Sequence, residues 1–536
     1  MKGLMMNYQL TLPTILRRAE SMFAHKEIIS RLPDKSIHKY TYKDFSVRAK
    51  KLASALVEAG VAAGDRVATL SWNHYQHLEA YFAVPCIGAV IHPLNIRLDH
   101  EDLGYIVNHA EDKVIIVDQV LLPLFEKFKP VVNLSRIIVI PESNENIPKG
   151  YLNYEDLIAS GDESKFKPFE EDEHAAAFMC YTSGTTGKPK GVLYSHRSVV
   201  LHAMSFMFSC ADVGINERDT VLPMVPMFHA CAWGIPYTCA FTGASQVFPG
   251  PYPDPENVIA LLETQKVTMI AGVPTVLLGI LNKLDGDKVK HNLSLRLILS
   301  GGSAAPRHLI RSFDERYGIR VLHSWGMTEM SPAGATSITT SRISKEDKEI
   351  QYDYAVKQGL PIPFVEVRGR GDSGNLIPHD GEAMGELEVR GPWIISAYYK
   401  DSSKDRFTPD GWLKTGDIVT IDPEGFIEIK DRSKDLIKSG GEWISSLALE
   451  NALMGHPAVL EAAVIAVPNE KWMERPFAYI VLREDKAVTP HELKEYLADK
   501  FARFWIPEEY EFINAIPRTS VGKFLKSALR ARHANK

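Results

Sequence analysis

Tyr181-Thr182-Ser183-Gly184-Thr185-Thr186-Gly187-Lys188-Pro189-Lys190-Gly191 is the stretch from which the rest of the chain can be read. Its three glycines allow positive φ and a close approach of the backbone to a ligand. Four Ser and Thr hydroxyls and several free N–H groups can then surround anionic oxygens, as phosphate-binding loops do. Lys188 and Lys190 add positive charge. A Walker loop needs Gly-Lys followed by Ser or Thr, and here Pro189 follows Lys188. The plain alternative is a surface turn, but the composition of this run is richer than a turn needs.

On both sides of this loop, short apolar runs alternate with amphipathic stretches through roughly the first 330 residues. Arg66–Leu70, Val114–Val117, Ile137–Ile140, Leu295–Leu299 and Ile319–Leu322 are short and rich in β-branched residues. Phe45–Glu58 carries Leu52, Ala55 and Leu56 on one helical face and stops at Gly60. Leu122–Phe128 and Pro306–Tyr317 read as further helices. This alternation predicts an α/β fold of mostly parallel, helix-covered sheets. No internal repeat and no low-complexity tract interrupts it.

The texture changes near residue 385. Gly385–Arg390 alternates, and Asp417–Ile429 reads as a hairpin around Pro423-Glu424-Gly425. Beyond Arg432 comes a helix at Leu447–Met454, then strands at Glu461–Val467 and Phe477–Leu482. A further helix is announced by a capping box, with Thr489 as N-cap, Pro490 at the first position and Glu492 at the third. Two domains are expected, residues 1–432 and 433–536, divided in the charged segment Asp431-Arg432-Ser433-Lys434-Asp435. At 536 residues the chain is too long for one ordinary core.

Other segments carry chemistry. Ser324-Trp325-Gly326-Met327-Thr328-Glu329 offers a hydroxyl beside a carboxylate, although taken alone Thr-Glu could simply start a helix. Lys414-Thr415-Gly416-Asp417 places an aspartate at a turn, where aspartate is common in any case. Gly301-Gly302-Ser303-Ala304-Ala305-Pro306 suits any tight strand-to-helix connection. Lys434-Asp435-Leu436-Ile437-Lys438-Ser439-Gly440-Gly441-Glu442 and Pro517-Arg518-Thr519-Ser520-Val521-Gly522-Lys523 complete the set.

These segments, in this order, resemble the signature motifs of the adenylate-forming superfamily of acyl-CoA synthetases, luciferases and adenylation domains. The resemblance covers about Tyr40 to Leu529. It implies a large N-terminal α/β domain of two helix-covered sheets with a small β-barrel-like section, and a small mobile α+β C-terminal domain. It implies activation of a small-molecule carboxylic acid by ATP, with Mg²⁺, followed by transfer to coenzyme A.

By the same resemblance, Thr182, Ser183, Gly184, Thr185, Thr186, Gly187 and Lys190 would hold phosphates, and Ser183 and Glu329 the metal. Thr328 would touch the α-phosphate. Gly302, Ser303, His323, Ser324 and Trp325 would pack on the nucleoside, and Asp417 with Arg432 would hold the ribose. Lys434 is the hinge position, and Lys438 joins the nucleotide set. Gly440, Gly441, Glu442 and Trp443 would border CoA. Lys523 would sit between the carboxylate and the α-phosphate as the catalytic lysine.

The acid is less legible. Val225-Pro226-Met227-Phe228-His229-Ala230-Cys231-Ala232-Trp233 resembles the segment bordering the acyl pocket. Together with Ser439–Ser446 it is most similar to bacterial medium- and long-chain fatty-acyl-CoA synthetases. In those the residue matching Trp233 gates a tunnel, with His229 and Ala230 beside it. The run Trp325–Pro332 also resembles ligases for methylthiopropionate, a short thioether acid, so both acids stand. An amino-acid-activating domain is disfavoured: Ala230–Gly234 offers no aspartate for an α-amino group, and no carrier domain is expected after Lys536. A phosphotransferase releasing ADP remains a remote alternative.

Composition sets the outer bounds. Lys and Arg number 61 against 67 Asp and Glu, so the net charge is −6, which argues against nucleic acid as a partner. Five cysteines (Cys86, Cys180, Cys210, Cys231, Cys239) show no metal spacing and suit a reducing cytosol. Tyr81–Ile91, broken by Pro85, is too short to span a bilayer, and Met1–Phe23 holds no signal-like apolar stretch. A cytoplasmic homodimer is expected, with surface contact to a membrane left open.

Overall fold

The computed structural model describes residues 1, 3–142, 147–182, 188–208, 214–402, 404–440, 442–518 and 523–534. The apolar runs of the first 330 residues become the strands of two sheets. One has seven strands, and Arg66–Leu70, Val90–Pro93, Asp112–Asp118 and Arg136–Ile140 form its parallel centre. Val67, Ala68, Ile115, Ile116 and Val117 are fully buried, as expected of strands covered on both faces. The hairpin Ala176–Tyr181 and Gly191–Ser195 closes one edge, antiparallel, with Tyr181 opposite Gly191.

The second sheet has nine strands. Its parallel centre runs in the order Arg320–Gly326, Leu297–Ser300, Met269–Gly272, Thr220–Pro223, Ser245–Phe248, Glu27–Arg31. From Thr220–Pro223 the chain moves to Ser245–Phe248 on one side, then returns to Met269–Gly272 on the other. Strand order therefore reverses between Thr220–Pro223 and Met269–Gly272. In open α/β sheets such a reversal leaves a crevice outside the carboxyl ends of the strands, and ligands bind there. The segments leaving these ends are the ones the sequence singled out: Met224–Gly234, Gly301–Ser303 and Met327–Glu329.

The helix expected at Phe45–Glu58 begins earlier, at Tyr42, because Thr41 and Asp44 form a capping box. Such a cap contributes about 1 kcal/mol, enough to extend the helix by its first turn. Leu122–Phe128 is helical as read, and Arg307–Tyr317 begins after Pro306. Tyr75–Cys86 is a fully buried helix despite Pro85, and the chain then turns into Val90–Pro93. No helix among the described residues is long and apolar enough to cross a membrane.

The small β section is a four-stranded antiparallel sheet of Glu366–Arg370, Gly385–Arg390, Leu413–Ile421 and Ile427–Arg432. A separate five-stranded sheet follows, built on the pair Val459–Asn469 and Met473–Leu482. Its alternation is complete. Ala462, Val464, Ala478 and Ile480 face helices Ser446–Met454 and Pro490–Ala498 through Leu449, Leu453, Leu493 and Leu497. Ala463, Ile465, Phe477 and Tyr479 face Ile516 and Leu529, the latter on helix Lys526–Ala534. Thr489 and Glu492 form the capping box as read.

Candidate active site

The phosphate-type run connects the two strands of the edge hairpin in sequence. Its neck is closed by Thr182 N–H donating to the Lys190 carbonyl at 2.9 Å and Lys190 N–H donating to Thr182 Oγ1 at 3.2 Å. Ser183, Gly184, Thr185, Thr186 and Gly187 lie outside the described residues. Lys190 Nζ is 2.7 Å from the Asp401 carboxylate and 4.8 Å from the Tyr398 ring, so its charge is held beside the cavity. Lys188 stands over Tyr105 at 4.6 Å.

A cavity of about 510 Å³ opens at the carboxyl ends of the nine-stranded sheet. Thr328 and Glu329 form its floor beside Lys188, Lys190, His229, Trp233 and Lys523. Three fixed bonds hold this floor. Tyr194 hydroxyl donates to the Thr328 carbonyl at 2.6 Å, Ile395 N–H to the Glu329 carbonyl at 3.0 Å, and Tyr398 hydroxyl to Glu329 Oε1 at 2.6 Å. Glu329 is only 7% exposed, and what remains opens to the cavity.

Lys523 reaches this cavity from the C-terminal domain. Burial pushes its ammonium down to about 8, and the Arg432 charge adds to that, while Asp417 and Glu329 oppose it. Its neighbours are thus known by their charges. Burial, with Lys523 and Arg97 nearby, pushes His229 down to about 3, so its ring is neutral near pH 7.

A smaller lobe of about 280 Å³ adjoins the first and shares Gly302, Ser324, Trp325, Arg432 and Lys523 with it. Asp417 lies here, 2% exposed, with one oxygen 2.8 Å from Arg432 Nε and the other accepting from Trp325 Nε1 at 3.0 Å. Ser303 and His323 line the same lobe. His323 Nδ1 is 2.9 Å from the Val356 carbonyl, and its imidazole is held below the usual histidine range by burial. Gly302 has φ +83°, so a side chain there would be strained as well as press on Val273.

The AMP-binding enzyme family matches residues 16–399, and the AMP-binding enzyme C-terminal domain matches residues 448–523. This chain belongs to the AMP-binding enzyme family. It is 48% identical to a long-chain-fatty-acid–CoA ligase of Thermus thermophilus, over 99% of this chain and 97% of that one. It is 41% identical to a 3-methylmercaptopropionyl-CoA ligase of Ruegeria lacuscaerulensis, over 99% and 98%. The solved structure of the anthranilate CoA ligase AuaEII with anthranoyl-AMP superposes with TM-score 0.87 at 26% identity, covering 99% of this chain and 98% of that one. The protein is an AMP-forming acid–CoA ligase, with ATP, Mg²⁺ and CoA as its cofactors and co-substrates.

The ligase fits that metal in one particular way. Among the described residues no group of three or more His, Cys, Asp or Glu side chains could hold an ion. Mg²⁺ is commonly bound by one or two carboxylates with substrate phosphates and water, without a dedicated protein cage. Glu329, one buried carboxylate anchored through a single oxygen and open to the cavity, suits that mode.

The segment that follows strand Thr220–Pro223 of the ligase holds a feature the sequence does not announce. Ala230, Cys231, Ala232, Trp233 and Gly234 all have positive φ, from 42° to 73°. Four of the five carry a Cβ, and left-handed backbone costs such residues roughly 1–2 kcal/mol each. Nothing in Ala-Cys-Ala-Trp signals it; only Gly234 is a residue that adopts it freely. The turn aims the Trp233 ring at Gly301, where a Cβ would stand 3.1 Å from Trp233 Cη2. Trp233 is 8% exposed and belongs to an apolar cluster with Val221, Val225, Ala230, Ala271 and Leu299.

Other predicted residues are brought together less closely. Lys434 is solvent-exposed at the rim of the larger cavity. Lys438, Gly440, Glu442 and Trp443 line neither cavity. Lys438 instead lies over the Trp443 ring at 4.4 Å, and Gly440 N–H donates to the Trp472 carbonyl at 2.9 Å. Gly441 and Thr519–Gly522 lie outside the described residues. Sequence reasoning missed Tyr194, Tyr398 and Asp401, which act through single contacts to distant segments and carry no local pattern.

Proposed function

We propose that this ligase joins a medium- to long-chain fatty acid to CoA. The observation carrying the proposal is the apolar cluster around Trp233, which stands directly beside the cavity holding Glu329 and Lys523. Each methylene buried against such a wall contributes about 0.8 kcal/mol, so an apolar wall of this kind favours longer chains. The named activity of the Thermus thermophilus relative supports the same reading.

In the first step an oxygen of the substrate carboxylate forms a bond to the α-phosphorus of ATP. The bond from that phosphorus to the bridging oxygen breaks, and pyrophosphate leaves with the electron pair. Both reactants are anions. Lys523 places its ammonium between carboxylate and α-phosphate, Thr328 hydrogen-bonds the α-phosphate, and the Thr182–Lys190 loop holds the departing phosphates. Asp417 accepts from the ribose hydroxyls with Arg432 steadying it, and Gly302, Ser303 and Trp325 flank the base. Glu329, with Ser183, would hold Mg²⁺, which supplies charge neutralisation on the phosphates.

In the second step the CoA sulfur bonds to the acyl carbon, the acyl–phosphate oxygen bond breaks, AMP leaves, and the thiol proton passes to solvent. We assign the C-terminal domain a rotation about Lys434 that withdraws Lys523 and brings Gly440, Gly441, Glu442 and Trp443 toward the acyl-adenylate. The division of the two domains falls in this reading at residues 432 and 433. The buried thiols of Cys86, Cys180, Cys231 and Cys239 support a cytoplasmic setting. We extend the expectation of a homodimer from the resemblance to acyl-CoA synthetases.

The test is AMP release with carboxylic acids of increasing chain length, supplied with ATP, Mg²⁺ and CoA. A maximum at medium to long chains is expected. A maximum at short thioether acids would assign the ligase the substrate named for its Ruegeria relative.

A further inference from the structure

Lys523 is the end of a long lever, and the chain contains a second set of buried polar groups that fixes where the lever points. Asp431 is the penultimate residue of strand Ile427–Arg432, in the large domain. Its Oδ2 accepts from Ser446 N–H and from Ser446 hydroxyl, both at 2.6 Å, and from Leu447 N–H at 3.4 Å. Ser446 starts helix Ser446–Met454 of the C-terminal domain. Lys526 Nζ donates to Ser446 Oγ at 2.6 Å and lies 2.7 Å from Glu450 Oε1. The proton order is consistent: lysine donates to the serine oxygen, and the serine hydroxyl donates to the aspartate. Lys526 opens the last helix, three residues after Lys523.

Position in the chain gives this cluster its meaning. Asp431 precedes Lys434 and moves with the large domain, whereas Ser446, Glu450 and Lys526 follow it. Any rotation about Lys434 that withdraws Lys523 must break the Asp431–Ser446 bonds. Ser445 hydroxyl donating to the Lys430 carbonyl crosses the same boundary. By contrast, Arg530 pairs with Asp435 and donates to the Lys434 carbonyl, contacts beside the pivot itself.

The geometry assigns Asp431, Ser446 and Lys526 the role of a latch, a set of positioning residues that hold Lys523 in the cavity for adenylation and must open for thioester formation. This rests on Lys523 serving adenylation and on Lys434 being the pivot. A buried charged hydrogen-bond set of this kind is strong when whole and costly when one member is missing. It therefore acts as an on–off contact between the domains.

Asp431, Glu450 and Lys526 also border the smaller lobe, so Ser446, which does not, is the cleaner probe. Pyrophosphate–ATP exchange and thioester formation from supplied acyl-adenylate and CoA would be measured for Ser446→Ala, Lys526→Met, the double variant and Lys526→Arg. Exchange is expected to fall at least tenfold in Lys526→Met and several-fold in Ser446→Ala, in kcat more than in the KM for ATP. Thioester formation should hold or rise. The double variant should be no worse than Lys526→Met, because both remove one shared contact, and Lys526→Arg should recover much of the exchange. An equal fall of both half-reactions, or no change in Ser446→Ala and Lys526→Met, would overturn the latch. Should Lys526→Met not fold, Ser446→Ala decides alone. Lys523→Ala is the control: exchange lost there but unchanged in the latch variants sinks the latch alone, while exchange retained in Lys523→Ala sinks the assignment beneath it.

Discussion

Tyr398 holds Glu329 across 69 residues of sequence, its hydroxyl donating at 2.6 Å to a buried carboxylate that lines the same cavity as Lys188, Lys190 and Lys523. The bond engages one carboxylate oxygen, Oε1, of a residue that lines the cavity. A hydrogen bond to a charged group contributes about 1.5–3 kcal/mol. In Tyr398→Phe the adenylation rate should fall roughly tenfold to a hundredfold, with a higher Mg²⁺ concentration needed for half-maximal rate. An unchanged Mg²⁺ dependence in a titration of exchange rate would separate Tyr398 from the metal.

The Lys523 ammonium, lowered to about 8, gives a pH dependence with a definite sign. Below that value the lysine is charged and can offset two anions; above it the neutral amine cannot. Adenylation kcat/KM, which reports the free enzyme, should decline as pH rises through about 8. Bound phosphates favour the charged form, so the decline in kcat should lie at higher pH. A pH–rate series for pyrophosphate exchange checks both limbs.

Trp325 and Arg432 together hold Asp417 at 3.0 and 2.8 Å. Trp325→Phe keeps the ring and removes one donor. The KM for ATP should rise about threefold to tenfold, near 1 kcal/mol, with the KM for the acid little changed. Initial-rate kinetics with each substrate varied separately would show whether the loss is confined to the nucleotide.

Trp233 closes the apolar side of the cavity on a turn that is left-handed throughout. Trp233→Ala should move the preferred acid toward longer chains and blunt discrimination among them, read as a ratio of kcat/KM across a chain-length series. It should also lower the melting temperature, since truncating a buried tryptophan costs about 3–5 kcal/mol.

The strands and helices were legible where local signals are strong. Leu122–Phe128 and Gly385–Arg390 match residue for residue, and Thr489, Pro490 and Glu492 start their helix as read. The apolar face alone marks Phe45 as the helix start, whereas the capping pair Thr41 and Asp44 sets it at Tyr42. The left-handed turn at Ala230–Gly234 could not be read, since its residues carry no preference for that backbone and are held there by packing. Motif order placed Asp417, Arg432, Thr328, Glu329 and Lys523 around joined cavities. The contacts that orient them, from Tyr194, Tyr398 and the Asp431–Ser446–Lys526 set, come from distant segments and depend on folded geometry alone.

The central claim is that a lysine carried by the small domain is required where ATP meets the acid and is dispensable where the thiol attacks. Lys523→Ala tests it in one comparison of half-reactions. Pyrophosphate–ATP exchange should fall by about a hundredfold or more, equivalent to about 3 kcal/mol in the barrier, while supplied acyl-adenylate is still converted by CoA at near the parent rate. Equal loss in both half-reactions, or exchange that survives, would contradict it.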